Sequence, residues 1–480
     1  MELLKHIFAF NAHEPLLFTQ FYFWAFFAIV FVLFACIKNK ILLRNTFLFA
    51  VSLFFYYKTS GLFLLLLIFS VVANYLLAVG MDSTQKKVWK NILLVLSVIV
   101  DLGVLCYFKY AYFLVDITNS IFGTHYSIVE QIILPVGISF FTFQTLSYVI
   151  DVYRGNIKPV RNILNFGFYV SFFPQLVAGP IVRATDFVPQ LYKPYSLTRK
   201  YFGIAVFWIL NGLAKKIILS DYLAVNFVDR VFQNPLLFGG FENIMALLVY
   251  SMQVYADFSG YTDIAIGVAM VMGFYLPKNF DSPYKATNCS NFWKRWHISL
   301  SKWLQDYLYI PLGGNRNATF GTFFWIALIS MTGVLLSGSW IIAAIVFGIT
   351  AAIVVWGLLM PKKRQKIFTN LNLMVTMLLG GLWHGASFNF IIWGGLNGVG
   401  IVIYKIWRTL SVWAKMIVVL ATTGIMAILV YYSPAPLWNM LVVWLGIITF
   451  GTIIRAIGHI CKLSWKWLDT AWGVVQTFFF

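Results

Sequence analysis

The chain has 480 residues, of which 61% are hydrophobic, 19% aromatic and only 11% charged. That balance lies far outside soluble globular domains and assigns the polypeptide to a bilayer. The net charge of +19 collects at the ends of apolar runs, a pattern of cytoplasmic loops and anionic-lipid contact rather than of a nucleic-acid groove.

Taken in chain order, a polar-apolar stretch before Leu16 is expected to lie in the membrane surface. Leu16 to Ile37 follows as a retained span, too long for a signal-peptide core and without a small-residue cleavage pattern. If Lys38 and Lys40 are cytoplasmic, Ile41 to Tyr57 and Gly61 to Gly80 form a hairpin that returns Lys86, Lys87 and Lys90 to the same face. The next pair, Asn91 to Val115 and Ile128 to Ile150, again ends in basic residues, Arg154, Lys158 and Arg161.

The stretch "SFFPQLVAGPIVRATDF", residues 171 to 187, is interrupted by Pro174, Gly179 and Pro180. Broken membrane helices survive where they line a cavity or are covered by protein. It is read as a cavity wall, with Gln175 a structural polar group and residues 179 to 200 irregular or re-entrant. Tyr201 to Leu219 is the next span. In "QVYADFSGYTDIAIGVAMVMGF", residues 253 to 274, Asp257 and Asp263 need protein, water or a cation. Six positions apart on a straight helix they face different ways, so structural hydrogen bonding is favoured over an acid–base pair, and Gly260 is a possible break.

Residues 290 to 316, "SNFWKRWHISLSKWLQDYLYIPLGGNR", place Trp293, Trp296, Leu300, Trp303, Leu304, Tyr307 and Leu308 at spacings of three and four. That is the apolar stripe of an amphipathic helix at headgroup depth. Phe320 to Leu336 and Ile341 to Met360 lead to "PKKRQK", residues 361 to 366. The chain then climbs through "NLNLMVTMLLGGLW", turns at Gly385 and descends to Lys405 and Arg408, before a last apolar pair ends at Lys462 and Lys466. The runs are continuous rather than alternating, so they are helices and not barrel strands. The expectation is an all-α, polytopic membrane protein of about 11 to 13 transmembrane or re-entrant helices, forming one domain across residues 1 to 480. No repeat of solenoid length is present. Cys36, Cys106, Cys289 and Cys461 have neither metal-ligand nor disulfide spacing, so no metal site is expected.

His384 lies in "GGLWHGASFNFIIWGGLNG", near the top of an apolar hairpin. A lone histidine on an apolar face is more often structural than catalytic. Here it is accompanied by a polar amphipathic helix carrying His297, a broken span and intramembrane carboxylates, which together suggest a hydrated cavity. In such a cavity a neutral imidazole suits general-base work near neutral pH.

The stretches "NFWKRWHISLSKWLQDYLYIPLGGNR", "YADFSGYTDIAIG", "FFPQLVAGPIVR" and "GGLWHGASFNFIIWGGLNG" strongly resemble the membrane-bound O-acyltransferase family, in its alginate O-acetyltransferase-like branch. The match runs in order from about residue 100 to about residue 410. The resemblance implies a multi-helix body with two funnels meeting at a central tunnel, and it carries the family's histidine positions onto His384 and His297, the expected catalytic residues, His384 as the base and His297 to orient the thioester or relay the proton. It implies tunnel or donor-side support from Trp293, Lys294, Arg295, Trp296, Ser301, Asp306, Asn315, Arg316 and Trp383. It also implies acyl transfer from a thioester, acetyl-CoA being the expected donor with no permanently bound cofactor, to a hydroxyl on an extracellular polysaccharide or on an SGNH-type extracytoplasmic partner. A bacterial inner-membrane location follows. The apolar pair within residues 318 to 366 departs from many relatives and is expected to form an extra hairpin. The competing expectations are D-alanyl transfer to teichoic acid and a transporter or flippase.

Overall fold

The computed structural model of the chain describes residues 9–11, 15–129, 131–432, 436–461, 470–471 and 473–474. The expected N-terminal surface stretch falls largely outside them. Among the described residues there is no strand. Six helical stretches are long and apolar enough to cross a membrane: Ile41–Ser83, Lys87–Phe122, Arg199–Gln233, Trp340–Leu359, Phe388–Trp407 and Val412–Tyr432. The remaining helices are shorter or more polar. The chain divides into two compact units, residues 1–279 and 280–480.

In the first unit, α1 (Phe21–Ile37), α2 (Ile41–Ser60) and α3 (Leu64–Ser83) follow one another, α2 and α3 meeting at Gly61 with φ +61°. Next comes α4 (Lys87–Leu105), which continues through a π-turn at Cys106–Tyr110 into α5 (Ala111–Phe122). The described residues among 123–137 are not helical, so the span expected from Ile128 begins only at Ile138, in α6 (Ile138–Arg154). Gly123 and Gly137, both at positive φ, close one helix and open the other. The Pro- and Gly-interrupted region becomes α7 (Ile163–Ser171), the single turn α8 (Phe173–Leu176) and α9 (Ala184–Leu191).

Rings fill the space between these short pieces. Phe168, Phe172, Phe187 and Phe274 are all buried, with centroids 5.0 to 5.8 Å apart. Buried polar groups are paired across helices. Asp101 of α4 accepts from Asn74 Nδ2 of α3 at 2.8 Å and lies 3.2 Å from Thr145 Oγ1 of α6, while Ser97 Oγ donates to Asn74 Oδ1 at 2.8 Å. Arg44, at the start of α2 and 2% exposed, donates to the carbonyls of Leu191 (2.8 Å) and Lys193 (2.9 Å) at the end of α9. A cation at a helix C-terminus meets acceptors that have no partner within the helix.

The unit closes with α10 (Arg199–Ala214), which runs on through π-turns into α11 (Asp229–Gln233), and with α12 (Gly240–Val271). Gly260 does not break α12. It packs instead against Gly212 of α10, where an added Cβ would lie 2.6 Å from the Gly260 carbonyl oxygen. Two ion pairs flank this contact: Lys215 with Asp263 at 2.6 Å, and Lys216 with Asp257. The two carboxylates do face different ways on α12, and consecutive lysines of a π-turn meet one each. Asp263 also accepts from Asn211 Nδ2 at 2.8 Å. Gln175, 2% exposed, donates to the Tyr169 carbonyl at 2.9 Å.

The second unit opens with α13 (Cys289–Trp293) and α14 (Ile298–Leu304), extended by a π-turn over Gln305–Tyr309. Residues 290–316 are therefore not one amphipathic helix, as their periodicity had promised. The extra hairpin is present as α15 (Phe320–Ser337) and α16 (Trp340–Leu359), and their large side chains are mostly exposed, as lipid-facing helices require. Then follow α17 (Pro361–His384), α18 (Phe388–Trp407), α19 (Val412–Tyr432) and α20 (Pro436–Ile460).

Candidate active site

The break in the 290–316 segment is made by His297. Its backbone sits at φ +43°, ψ 55°, the left-handed region that non-glycine residues rarely occupy. Holding a bulky residue there costs about 1 to 3 kcal/mol and is found where surrounding structure fixes the residue for a purpose. α13 starts on an Asn288 cap, whose side chain accepts from Asn291 N at 2.8 Å, and ends at Trp293. The His297 carbonyl then accepts from Ser301 N at 3.0 Å and begins α14 in a new direction.

The other wall is the pair α17 and α18. Cβ atoms added at Gly381 and Gly394 would lie 2.2 Å from the Phe390 carbonyl oxygen and 2.3 Å from that of Met377. Only glycine permits this approach, which explains why glycines surround the histidine in the sequence. His384 is the last residue of α17, where the free carbonyl end of a helix favours positive charge developing on an imidazole.

Asn372, fully buried in α17, fixes the loop that follows α14. Its Nδ2 donates to the carbonyls of Gly314 and Asn317, both at 3.1 Å, and its Oδ1 accepts from Thr322 Oγ1 at 2.8 Å. The "GGNR" turn is tight: Gly313 and Gly314 have φ of +108° and +54°, and a Cβ at Gly313 would lie 1.9 Å from the Asn317 carbonyl oxygen.

Between these walls lies a cavity of about 330 Å³. α17 contributes Leu373, Thr376, Met377, Gly380, Gly381 and His384; α18 contributes Trp393, Ile401 and Lys405; the broken segment contributes Ser290, Trp293, Lys294, Leu300, Ser301, Leu304, Gln305, Tyr309 and Asn315. From Leu373 to His384 the lining follows α17 for about 17 Å, at 1.5 Å per residue. The cavity is therefore a long, narrow slot. At one end the His384 ring meets Trp393 (5.1 Å between centroids), Trp383 (5.0 Å) and His297 (6.4 Å). At the other end are Lys405, Tyr309 and Asn315, with Tyr309 Oη donating to Asn315 Oδ1 at 2.7 Å. Among the described residues no carboxylate lines the slot.

His297 does not line the slot. It is 1% exposed, packed on Trp383 at 5.8 Å behind His384. Burial, and secondarily the neighbouring His384, push its imidazole well below the usual histidine range, so it is neutral at pH 7.

Of the residues expected to support the tunnel, Trp293, Lys294, Ser301 and Asn315 line the slot. Four others do not. Arg295 is bound to Asn291 (2.8 Å) and to the Asp281 carbonyl (3.0 Å), with the Asp281 carboxylate 3.7 Å away. Trp296 stacks on Phe292 at 5.5 Å and meets Phe280 edge-on at 5.1 Å. Asp306 sits half-buried in the π-turn and is not among the lining residues, and Arg316 is exposed at the end of the glycine turn. Asp257, Asp263 and Gln175 belong to the first unit and are accounted for by contacts within it. Sequence reasoning missed Leu304 as a lining group, and with it Gln305, Tyr309, Thr376 and Lys405; it also missed Asn372. An asparagine in an otherwise apolar climb, "NLNLMVT", was the available signal for the last.

A multi-pass body of helices carries a glycine-seamed hairpin ending in a histidine, and a slot leads to it from basic and amide side chains. The profile of the MBOAT, membrane-bound O-acyltransferase, family matches residues 51–329, and the chain belongs to this family. That match includes His297 and stops before His384. The chain is 38% identical over 373 residues to a probable alginate O-acetylase AlgI of Pseudomonas aeruginosa, covering 75% of this chain and 61% of that protein. To a peptidoglycan O-acetyltransferase of Helicobacter pylori it is 34% identical over 401 residues, 78% of this chain and 67% of that protein. A teichoic acid D-alanyltransferase of Bacillus subtilis matches at 26% over 283 residues, 58% of this chain and 60% of that protein. The chain spans about three-fifths of the length of the alginate O-acetylases it matches.

Proposed function

We propose that this protein transfers an acetyl group from a cytoplasmic thioester, acetyl-CoA being the donor, to a hydroxyl on the far side of a bacterial inner membrane. The slot that joins Lys405 to His384 carries this reading. A thioester on an extended arm can run its length while the anionic body of the donor stays outside, against Lys405 and the exposed Lys362, Lys363, Arg364 and Lys366 that begin α17. Their positive charge favours a phosphate-bearing donor.

At the other end of the slot, His384 accepts the proton of the attacking hydroxyl as its oxygen adds to the thioester carbonyl carbon. The tetrahedral adduct collapses, the carbon–sulfur bond breaks, and the departing sulfur takes the proton back from the imidazolium. One ester and one free thiol result. A positioned base contributes about 10²- to 10⁴-fold. His297, neutral and locked behind His384, positions that ring and excludes a second positive charge from its neighbourhood. Trp293 and Trp393 line the slot beside His384 and give the reacting end apolar walls.

The acceptor is a polysaccharide hydroxyl or a serine of an SGNH-type extracytoplasmic protein, in keeping with relatives named for alginate and peptidoglycan. The similarity to a teichoic acid D-alanyltransferase supports a second reading, in which the acyl group is D-alanyl. A slot without a carboxylate favours acetyl, because the ammonium of a D-alanyl group would enter it without a counter-ion. Purified protein given acetyl-CoA and a glycan acceptor should release free thiol with the acceptor present and none without it. Thiol release only from a D-alanyl thioester would establish the second reading.

A further inference from the structure

The position one turn below His384 on the slot-lining face of α17 is Gly380. Across from it stands Leu304, the last residue of α14. A Cβ added at Gly380 would lie 3.1 Å from Leu304 Cδ1 and within 4 Å of no other group. The leucine methyl therefore rests in the recess that the missing side chain leaves. Both residues line the slot on the path between Lys405 and His384. At this level the opening depends on how far Leu304 retires into α17, and that depends on residue 380 having no side chain.

We propose that Leu304, seated in the Gly380 recess, is the acyl gauge of the enzyme: it sets the width an acyl group must pass to reach His384, admitting acetyl and rejecting acyl groups branched at the α-carbon. The proposal rests on the assignment of the slot to the thioester arm. An extended arm carrying a methyl ketone end is no wider at its tip than along its length, whereas an isobutyryl end carries an extra methyl at the level of the constriction. In an apolar passage one methyl or methylene typically discriminates by about 10- to 200-fold. Alanine at 380 would displace Leu304 toward the slot by a few tenths of an ångström. Alanine at 304 removes the gauge altogether and leaves the space open to branched groups.

The test uses the full chain in detergent and two non-transferring probes, the ketone analogues of acetyl-CoA and isobutyryl-CoA in which a methylene replaces sulfur. Binding is followed by quenching of tryptophan fluorescence, since Trp293 and Trp393 line the slot, and is independent of turnover. Wild-type protein should bind the acetyl analogue at least about tenfold more tightly than the isobutyryl analogue. Leu304→Ala should bring the two within about threefold, and Gly380→Ala should weaken the acetyl analogue. Adding Leu304→Ala to Gly380→Ala should recover it, a rescue that a general packing defect at 380 would not give. If the Gly380 variant does not fold, the ratio in Leu304→Ala alone decides. A wild-type preference that Leu304→Ala leaves unchanged overturns the gauge and leaves the donor slot standing. Failure of the wild-type chain to bind either analogue overturns both.

Discussion

Two helix pairs in this protein are drawn together by glycines, and they use the closeness in opposite ways. Between α10 and α12, Gly212 meets Gly260, and each flanking carboxylate meets a lysine: Asp263 with Lys215, Asp257 with Lys216. Charge is neutralised where it stands. Between α17 and α18, Gly381 meets Gly394 just as closely, but two titratable groups on that pair, His384 and Lys405, face a slot with no carboxylate among the described residues that line it. The first seam is a clamp and the second is a wall. Close packing of small residues thus says where backbones touch; whether the neighbouring charges answer one another says whether the place is structural or chemical.

Breaking the contrast at its chemical end should have the largest effect. His384→Gln keeps the ring volume roughly and removes the base, so acetyl transfer should fall by about 10²- to 10⁴-fold in a thiol-release assay, while yield and thermal midpoint stay near wild type. Retained turnover would take His384 out of the proton transfer.

At the clamp the effect should be on stability. Asp263 is 6% exposed in its side chain and Lys215 21%, so Asp263→Asn strands a largely buried ammonium and should cost about 3 to 5 kcal/mol, read as a fall in thermal midpoint. Replacing both partners, Lys215→Met with Asp263→Leu, should restore most of it. Asp257, 51% exposed, is the internal control: Asp257→Asn should cost under about 1 kcal/mol. Equal losses at 257 and 263 would mean that burial does not govern this pair.

Alanine at Gly381 tests the wall itself. With a carbonyl oxygen 2.2 Å from the new Cβ, the two helices must separate, at a cost of about 1 to 3 kcal/mol, and transfer should fall with stability rather than independently of it.

The smallest effect is in pH. His297 is buried neutral with its folded value well below the free one, so the unfolded chain binds a proton that the folded chain does not. Its contribution is fully present above the unfolded value, about 6.5, and is lost as pH falls below it. The thermal midpoint should decline on acidification from pH 7 to pH 5, and less steeply in His297→Gln. Parallel slopes would assign the decline to other groups.

The sequence made the helical body legible because apolar runs of membrane length have few alternatives. It placed His384 at the head of a hairpin through the alternation of basic clusters, and it read Asp257 and Asp263 as structural from their angular separation alone. Their lysine partners were not legible, since Lys215 and Lys216 lie some fifty residues away and look like the basic end of a span. His297 was missed as a break for a related reason. A left-handed residue other than glycine has no local signature; it is imposed by what packs around it. Read as a single helix, the segment puts Leu304 on an apolar stripe at headgroup depth and not on a slot wall.

The grip of Arg44 on the carbonyls of Leu191 and Lys193 spans 147 and 149 positions of chain. During synthesis at about 5 to 20 residues per second, the stretch that carries those oxygens follows Arg44 by roughly 7 to 30 s. Throughout that interval the guanidinium has to be satisfied by other acceptors, such as water or lipid headgroups. Biogenesis of this protein therefore has a built-in delay, written into a single arginine.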